Sequence, residues 1–303
     1  MARVTAIWMA VVAAMLIGAP AASAAFPGSD GVIAFSSTNE NGEDCPVGHD
    51  DSVFEPCVYS IFRVRSSGSG QKRLSSCGSR TQPACEDSHP AWSPGGTKLL
   101  FNRRGEIWIM NADGSGERSL GIEGSLPAWA PDRRHVLYSR DGDLTIARLD
   151  GTIVRTLAGG RIGDSAWSTR GLIVYKRFTD EGADLYTIKP DGTSRRRIVR
   201  DCRCGGPEFS PNGRQLLYTI GAGARGVYTA TLEGQSRRRL VSNAVDAAWS
   251  PSGRFLVFVR SNDVWVARSD GSGQRRVADN AKRLPDDVSG DYFEPSWQPL
   301  PPH

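Results

Sequence analysis

Histidine and lysine are scarce in this 303-residue chain, with four His and five Lys. The histidines are His49, His89, His135 and His303, and no His-x-x-His, Cys-x-x-Cys or EF-hand spacing occurs. Metal sites built from short local motifs are thereby excluded. No Gly-x-Ser-x-Gly elbow exists either; the nearest stretch, Gly163-Asp164-Ser165-Ala166-Trp167, ends in Trp where the elbow needs Gly. His303 is terminal and His135 abuts an apolar β-run, so neither offers a base to a serine nucleophile. Charge of one sign is lacking as well. A net charge of +4 gives no electrostatic case for a nucleic-acid partner. Arginine outnumbers lysine 32 to 5, spread along the whole chain.

Long apolar runs are confined to one place. Arg3 is followed by the 14-residue stretch Ala6 to Ala19, then by the small-x-small sequence Ala22-Ser23-Ala24. Fourteen residues fall short of the ~20 that a spanning helix needs, so residues 1–24 read as a cleaved export signal. No Cys follows the run to carry a lipid. The expectation is a protein without a transmembrane segment, secreted or held in the periplasmic or cell-envelope space. Six cysteines, Cys45, Cys57, Cys77, Cys85, Cys202 and Cys204, agree with an oxidising compartment.

What is abundant is glycine (34) and proline (18), and they are periodic. Pro90-Ala91-Trp92-Ser93-Pro94 recurs as Pro127-Ala128-Trp129-Ala130-Pro131, Ser165-Ala166-Trp167-Ser168, Pro207-Glu208-Phe209-Ser210-Pro211, Ala247-Ala248-Trp249-Ser250-Pro251 and Pro295-Ser296-Trp297-Gln298-Pro299. The aromatic anchors are 37, 38, 42, 40 and 48 residues apart. Each of the first five is followed by two β-rich runs and an acidic-Gly turn, such as Asp113-Gly114 or Asp270-Gly271, and then a basic run. An Asp-Gly pair between alternating runs is a hairpin signal, because Gly accepts the positive φ of a tight turn. A period near 40 with four strands per unit predicts β-propeller blades. Gly31 to Phe35 and Tyr59 to Val64 match the second and third strands of a unit that has no anchor of its own. Trp297 is an anchor with no strands after it. Joined, the two ends complete a sixth blade. The reading is all-β: six four-stranded antiparallel blades in one domain over residues 25–303, closed by the two termini.

The Trp-Ser-Pro-x-Gly units with their Asp-Gly hairpins resemble the WD-repeat-like blades of TolB-type propellers, over about residues 28–300. That resemblance implies fold far more than function. Members of the family carry an additional α/β domain that docks other envelope proteins, whereas here the chain passes from the cleavage site almost directly to Gly31. Similar propellers also gate prolyl-oligopeptidase-like peptidases, whose hydrolase domain has no counterpart here.

Placed on blades, the cysteines fall into connecting loops of one face. Local bridges Cys45–Cys57 and Cys77–Cys85 are expected, since bridges across the ring exceed the reach of a disulfide. Cys202 and Cys204 are either a very tight ring or a free dithiol, and metal binding with His49 or His89 is the alternative. Arg195 to Arg197, Arg237 to Arg239, Arg275 and Arg276 lie on outermost strands. Charge there ordinarily discourages edge pairing; the functional alternative is attraction to anionic envelope polymers.

Three residues before the anchors stand His89, Leu126, Asp164, Gly206, Asp246 and Glu294. In a propeller these positions approach the mouth of the central channel. Three acids and a histidine at one opening either cap strand starts and meet solvent, or hold a divalent cation such as calcium. His89, Asp164, Asp246 and Glu294 are therefore the candidate ligand-binding residues. The leading expectation is a monomeric binding module for an envelope protein or polysaccharide that binds through the cysteine-stapled loop face, with no catalytic residues. The runner-up is a metal-dependent, lactonase-like hydrolase with its cation at the channel mouth.

Overall fold

Each Trp-Ser-Pro-x-Gly unit forms the inner strand of a blade and the turn that leaves it. The serine hydroxyl closes that turn by accepting a backbone N–H five residues on, from Lys98 to Ser93 (3.0 Å), Gln215 to Ser210 (3.0 Å) and Phe255 to Ser250 (3.1 Å). Blade 3 has Ala130 in this place, and Asp132 substitutes by accepting from Arg134 (2.8 Å) and His135 (3.1 Å). The Asp-Gly turns work similarly. Asp113 Oδ1 accepts the Ser115 N–H (2.9 Å) and Asp270 Oδ1 the Ser272 N–H (2.8 Å). Gly114 takes φ +94°, and a Cβ there would lie 2.5 Å from the Leu74 carbonyl oxygen of the preceding blade.

The computed structural model describes residues 26–37, 59–76, 86–221, 223, 225–278 and 294–301. The export-signal segment and Cys45, Cys57, Cys77 and Cys85 lie outside the described residues. There are six four-stranded antiparallel sheets. From inner to outer strand, blade 2 comprises Asp87–Trp92, Lys98–Arg103, Glu106–Asn111 and Arg118–Glu123. Blades 3 to 6 repeat this order, with inner strands Ser125–Trp129, Ile162–Trp167, Cys204–Phe209 and Val245–Trp249. Blade 1 is assembled from both ends of the chain: Ser296–Leu300 inside, then Ser29–Ser37, Ser60–Val64 and Lys72–Arg73.

Trp297 pairs with Ile33 and Ser296 with Ala34 across that seam. A bulge between Asp30 and Ile33 lets Ser29 and Asp30 pair with Leu300 and Pro299. The strand therefore runs beyond Gly31 to Phe35 at both ends, over Ser29–Ser37. Asp30 ties the seam to blade 6 by accepting from the Ser252 N–H (2.8 Å) and hydroxyl (2.7 Å).

The core is a ring of inter-blade clusters. Trp92 of blade 2 packs with Ala34, Ile61 and Leu74 of blade 1, and Trp297 of blade 1 with Val257, Val264 and Val277 of blade 6. Each blade thus buries its anchor against its predecessor. Among the described residues no helix is long and apolar enough to cross a membrane.

Candidate functional site

Three of the four candidate residues, His89, Asp164 and Asp246, are placed by a repeated backbone irregularity. In each of blades 2 to 6 the inner strand carries one extra residue against its neighbour, between Ser88 and Ala91, Ser125 and Ala128, Ile162 and Ser165, Gly205 and Glu208, and Val245 and Ala248. A β-bulge bends the strand and re-aims the side chain at the bulge. His89 (φ +54°), Leu126 (+58°), Gly206 (+54°) and Asp246 (+45°) adopt left-handed backbone there. His and Asp are among the non-glycine residues that tolerate this region best. Glu294 lies just ahead of the inner strand of blade 1.

His89 and Asp164, on the bulges of blades 2 and 4, and Glu294, ahead of the inner strand of blade 1, lie within 4.8 Å of one another by their donor atoms. His89 Nε2 lies 3.2 Å from Glu294 Oε1, and His89 Nδ1 lies 2.9 Å from Ser88 Oγ. Asp164 Oδ2 accepts from the Gly206 N–H (3.1 Å) and from Lys176 Nζ (3.4 Å). Burial drives the Asp164 carboxyl upward, but Lys176, the Gly206 N–H and His89 more than offset it and hold it below the usual carboxylate range. Burial raises Glu294, with neighbouring Asp164 adding to the effect against the pull of His89. Burial alone would lower the His89 imidazole; Glu294, with Asp164 and Asp246 behind it, raises it instead. The two carboxyls are thus shifted in opposite directions.

Below the cluster runs a cavity of about 140 Å³ with walls from all six inner strands; Asp164, Asp246 and Glu294 border it. Glu208 is half-buried in that wall, where burial pushes its carboxyl up to about 8 against the pull of the Trp249 N–H. Phe26, 4% exposed, lines the same cavity and packs with Trp129. Its segment arrives from the side of the first-to-second-strand turns, where the Gly28 N–H reaches the Pro251 carbonyl (3.4 Å).

Lys176, Glu208 and Phe26 were absent from the candidate set. Two of them carried a signal. Glu208 occupies a repeat position otherwise held by Ala91, Ala128, Ala166, Ala248 and Ser296. Lys176 follows the second-strand aromatic where the other units have Ser36, Asn102, Ser139, Thr219 and Val259. Phe26 lies outside the repeat and had none.

Cys202 and Cys204 form a disulfide at the connection from blade 4 to blade 5, beside this site. On the outer strands the arginines join blades to one another and to their own hairpins. Arg238 Nη2 donates to the Asp270 carbonyl (3.3 Å) of the next blade, while Arg197 pairs with Asp184 (3.0 Å) and Arg276 with Asp263 (3.1 Å).

Six closed four-stranded blades around an axial cavity, with ionisable side chains gathered at one mouth, define a six-bladed β-propeller. Residues 223–288 match the family model described as the dipeptidyl peptidase IV (DPP IV) N-terminal region. A 103-residue stretch is 37% identical to the Tol-Pal system protein TolB of Gluconobacter oxydans, covering 30% of this chain and 23% of that relative. The structure of TolB from Acinetobacter baumannii superposes with a TM-score of 0.66 at 15% identity, over 89% of this chain and 67% of that one. A chain of the nidogen/laminin complex superposes with a TM-score of 0.65 at 13% identity, over 89% of this chain and all of that one. The chain is a TolB-like six-bladed propeller.

Proposed function

We propose that this chain is a protein-binding module of the periplasm or cell envelope, and that it engages its partner through the channel-mouth face. One observation carries the reading: side chains from blades 1, 2, 4 and 6 border a single opening, while the far end of the cavity holds Phe26. The faces differ in what they offer. The far face is made of short turns whose polar groups already bond to one another, as at Ser93, Ser210 and Ser250. The mouth presents half-buried charged groups on bulged strands, held by a rigid ring. Binding residues concentrate where a stable scaffold presents irregular backbone, and preorganisation lowers the entropy lost on association. The envelope location rests on the likeness to TolB proteins and on the export-signal reading of residues 1–24. A lactonase-like hydrolase is not favoured, because the relatives matched in sequence are TolB proteins.

The test is affinity capture from envelope fractions of the producing cells, with three baits. One is the mature chain, the second carries Asp164→Asn, Asp246→Asn and Glu294→Gln, and the third carries Arg195→Gln, Arg196→Gln, Arg237→Gln and Arg238→Gln. Loss of the captured protein with the second bait alone supports the mouth. Loss with the third alone transfers the function to the outer rim. Capture of polysaccharide in place of protein would change the partner class.

A further inference from the structure

We propose that His89 Nε2, an Asp164 carboxylate oxygen and Glu294 Oε1 form a site for one first-row divalent metal ion, of the zinc or manganese kind, on the propeller axis. The inference goes beyond the protein-binding reading and does not depend on which macromolecule the face takes.

Geometry makes the first part of the case. Two donors on one ion at 2.0–2.1 Å stand about 3.3 Å apart, and His89 Nε2 and Glu294 Oε1 are 3.2 Å apart. Asp164, reaching in from blade 4 on the far side of the ring, brings the third donor within 4.8 Å of both. A modest side-chain rotation then completes the set. The three side chains are half-buried, so desolvation of an ion is partial and water fills its remaining positions.

The surroundings hold the donors as metal ligands are usually held. Ser88 Oγ lies 2.9 Å from His89 Nδ1, so a neutral imidazole with its proton on Nδ1 donates there and presents Nε2 to the axis. The Gly206 N–H and Lys176 both engage Asp164 Oδ2, and the Asp164 carboxyl also faces that of Glu294, so the two carboxyls are held together at the axis. With Asp246 bordering the same cavity, carboxylates outnumber the single ammonium of Lys176.

Donor chemistry selects the class. Carboxylates alone would suit calcium or magnesium, whereas an imidazole among three donors shifts preference towards zinc, manganese or their first-row neighbours. Binding requires a neutral imidazole and ionised carboxylates, so uptake releases protons. An ion here would tie blades 1, 2 and 4 together across the channel.

The experiment is titration of the untagged, chelator-stripped, disulfide-intact mature chain with zinc, manganese, calcium and magnesium. Calorimetry, metal analysis after dialysis and Tm are the readouts. The expected result is one zinc or manganese ion per chain and a Tm that rises with its concentration, with calcium at least tenfold weaker. His89→Asn keeps a residue that tolerates positive φ, and Glu294→Gln keeps the shape. Each should keep the parent's circular dichroism spectrum and lose at least tenfold in affinity. Binding unchanged in both variants would place the ion elsewhere and overturn the proposal. So would calcium binding more tightly than zinc and manganese, or no bound equivalent of either.

Discussion

Glu208 Oε2 accepts the backbone N–H of Trp249 at 2.6 Å, so that a carboxyl of blade 5 caps the inner strand of blade 6. Ser296 does the same for Trp92 across the boundary from blade 1 to blade 2, at 3.3 Å. An inner strand has no further strand to pair with, and its N–H groups need such partners where water is scarce.

The Glu208 bond sets a pH dependence. Burial raises the carboxyl to about 8 from an ordinary value of 4.5. The native state therefore holds a proton that the unfolded chain releases between those values. The stability it contributes is complete below about pH 4.5 and is lost as pH rises through about 8. At about 1.4 kcal/mol per pH unit, reduced because the carboxyl borders the cavity, the loss is at most a few kcal/mol. Glu208→Gln keeps an acceptor for Trp249 and cannot ionise, so its Tm should fall less between pH 5 and 9 than that of the parent. Parallel curves would remove the effect from Glu208.

Ring closure is a second point of test. Trp297 is 4% exposed and packs on blade 6. Trp297→Ala should cost about 3–5 kcal/mol, as for a buried anchor elsewhere, and removal of residues 294–303 should lower Tm further. A truncated chain that melts with the parent would contradict closure through the C-terminal strand.

Glycines in corresponding turns should differ. Gly114 and Gly192 both have positive φ, at +94° and +85°. An added Cβ at Gly114 meets the Leu74 carbonyl at 2.5 Å, while at Gly192 it meets nothing within 4 Å. Gly192→Ala should cost only the backbone term, about 1–2 kcal/mol. Gly114→Ala should cost more, read as a larger drop in denaturant midpoint.

The disulfides can be mapped without reduction. Trypsin cleaves after Arg203, between Cys202 and Cys204, so the two resulting peptides should remain joined only through sulfur. Recovery of Cys45 with Cys57 and of Cys77 with Cys85 is expected on the loop assignment. A peptide joining Cys77 to Cys204 would contradict it.

The fold was legible because its signals repeat. Six aromatic anchors near a 40-residue period, the first five each with a serine or acid that closes its own turn, specify blade after blade through local contacts. The unpaired anchor at Trp297 and the anchorless first unit predicted the shared blade. The site was legible only as positions. Counting back three residues from each anchor reached His89, Asp164, Asp246 and Glu294. The convergence of His89 and Asp164 on Glu294 depends on bulges that put an extra residue into the inner strands of blades 2 and 4, and bulges leave no mark in an alternating pattern. Glu208 and Lys176 were visible as misfits within their repeat columns. Phe26 lies outside any column, and its burial depends on a channel that exists only once the ring is closed.

The central claim, that the mouth of the channel is the binding face, is tested most directly by hydrogen exchange on the mature chain with and without its captured partner. The account predicts slowed exchange at the starts of the inner strands, residues 87–91, 162–166, 204–208 and 245–248, with the outer strands unchanged. Protection confined to the outer strands 196–202, 238–242 and 275–278, with the mouth unaffected, would contradict it.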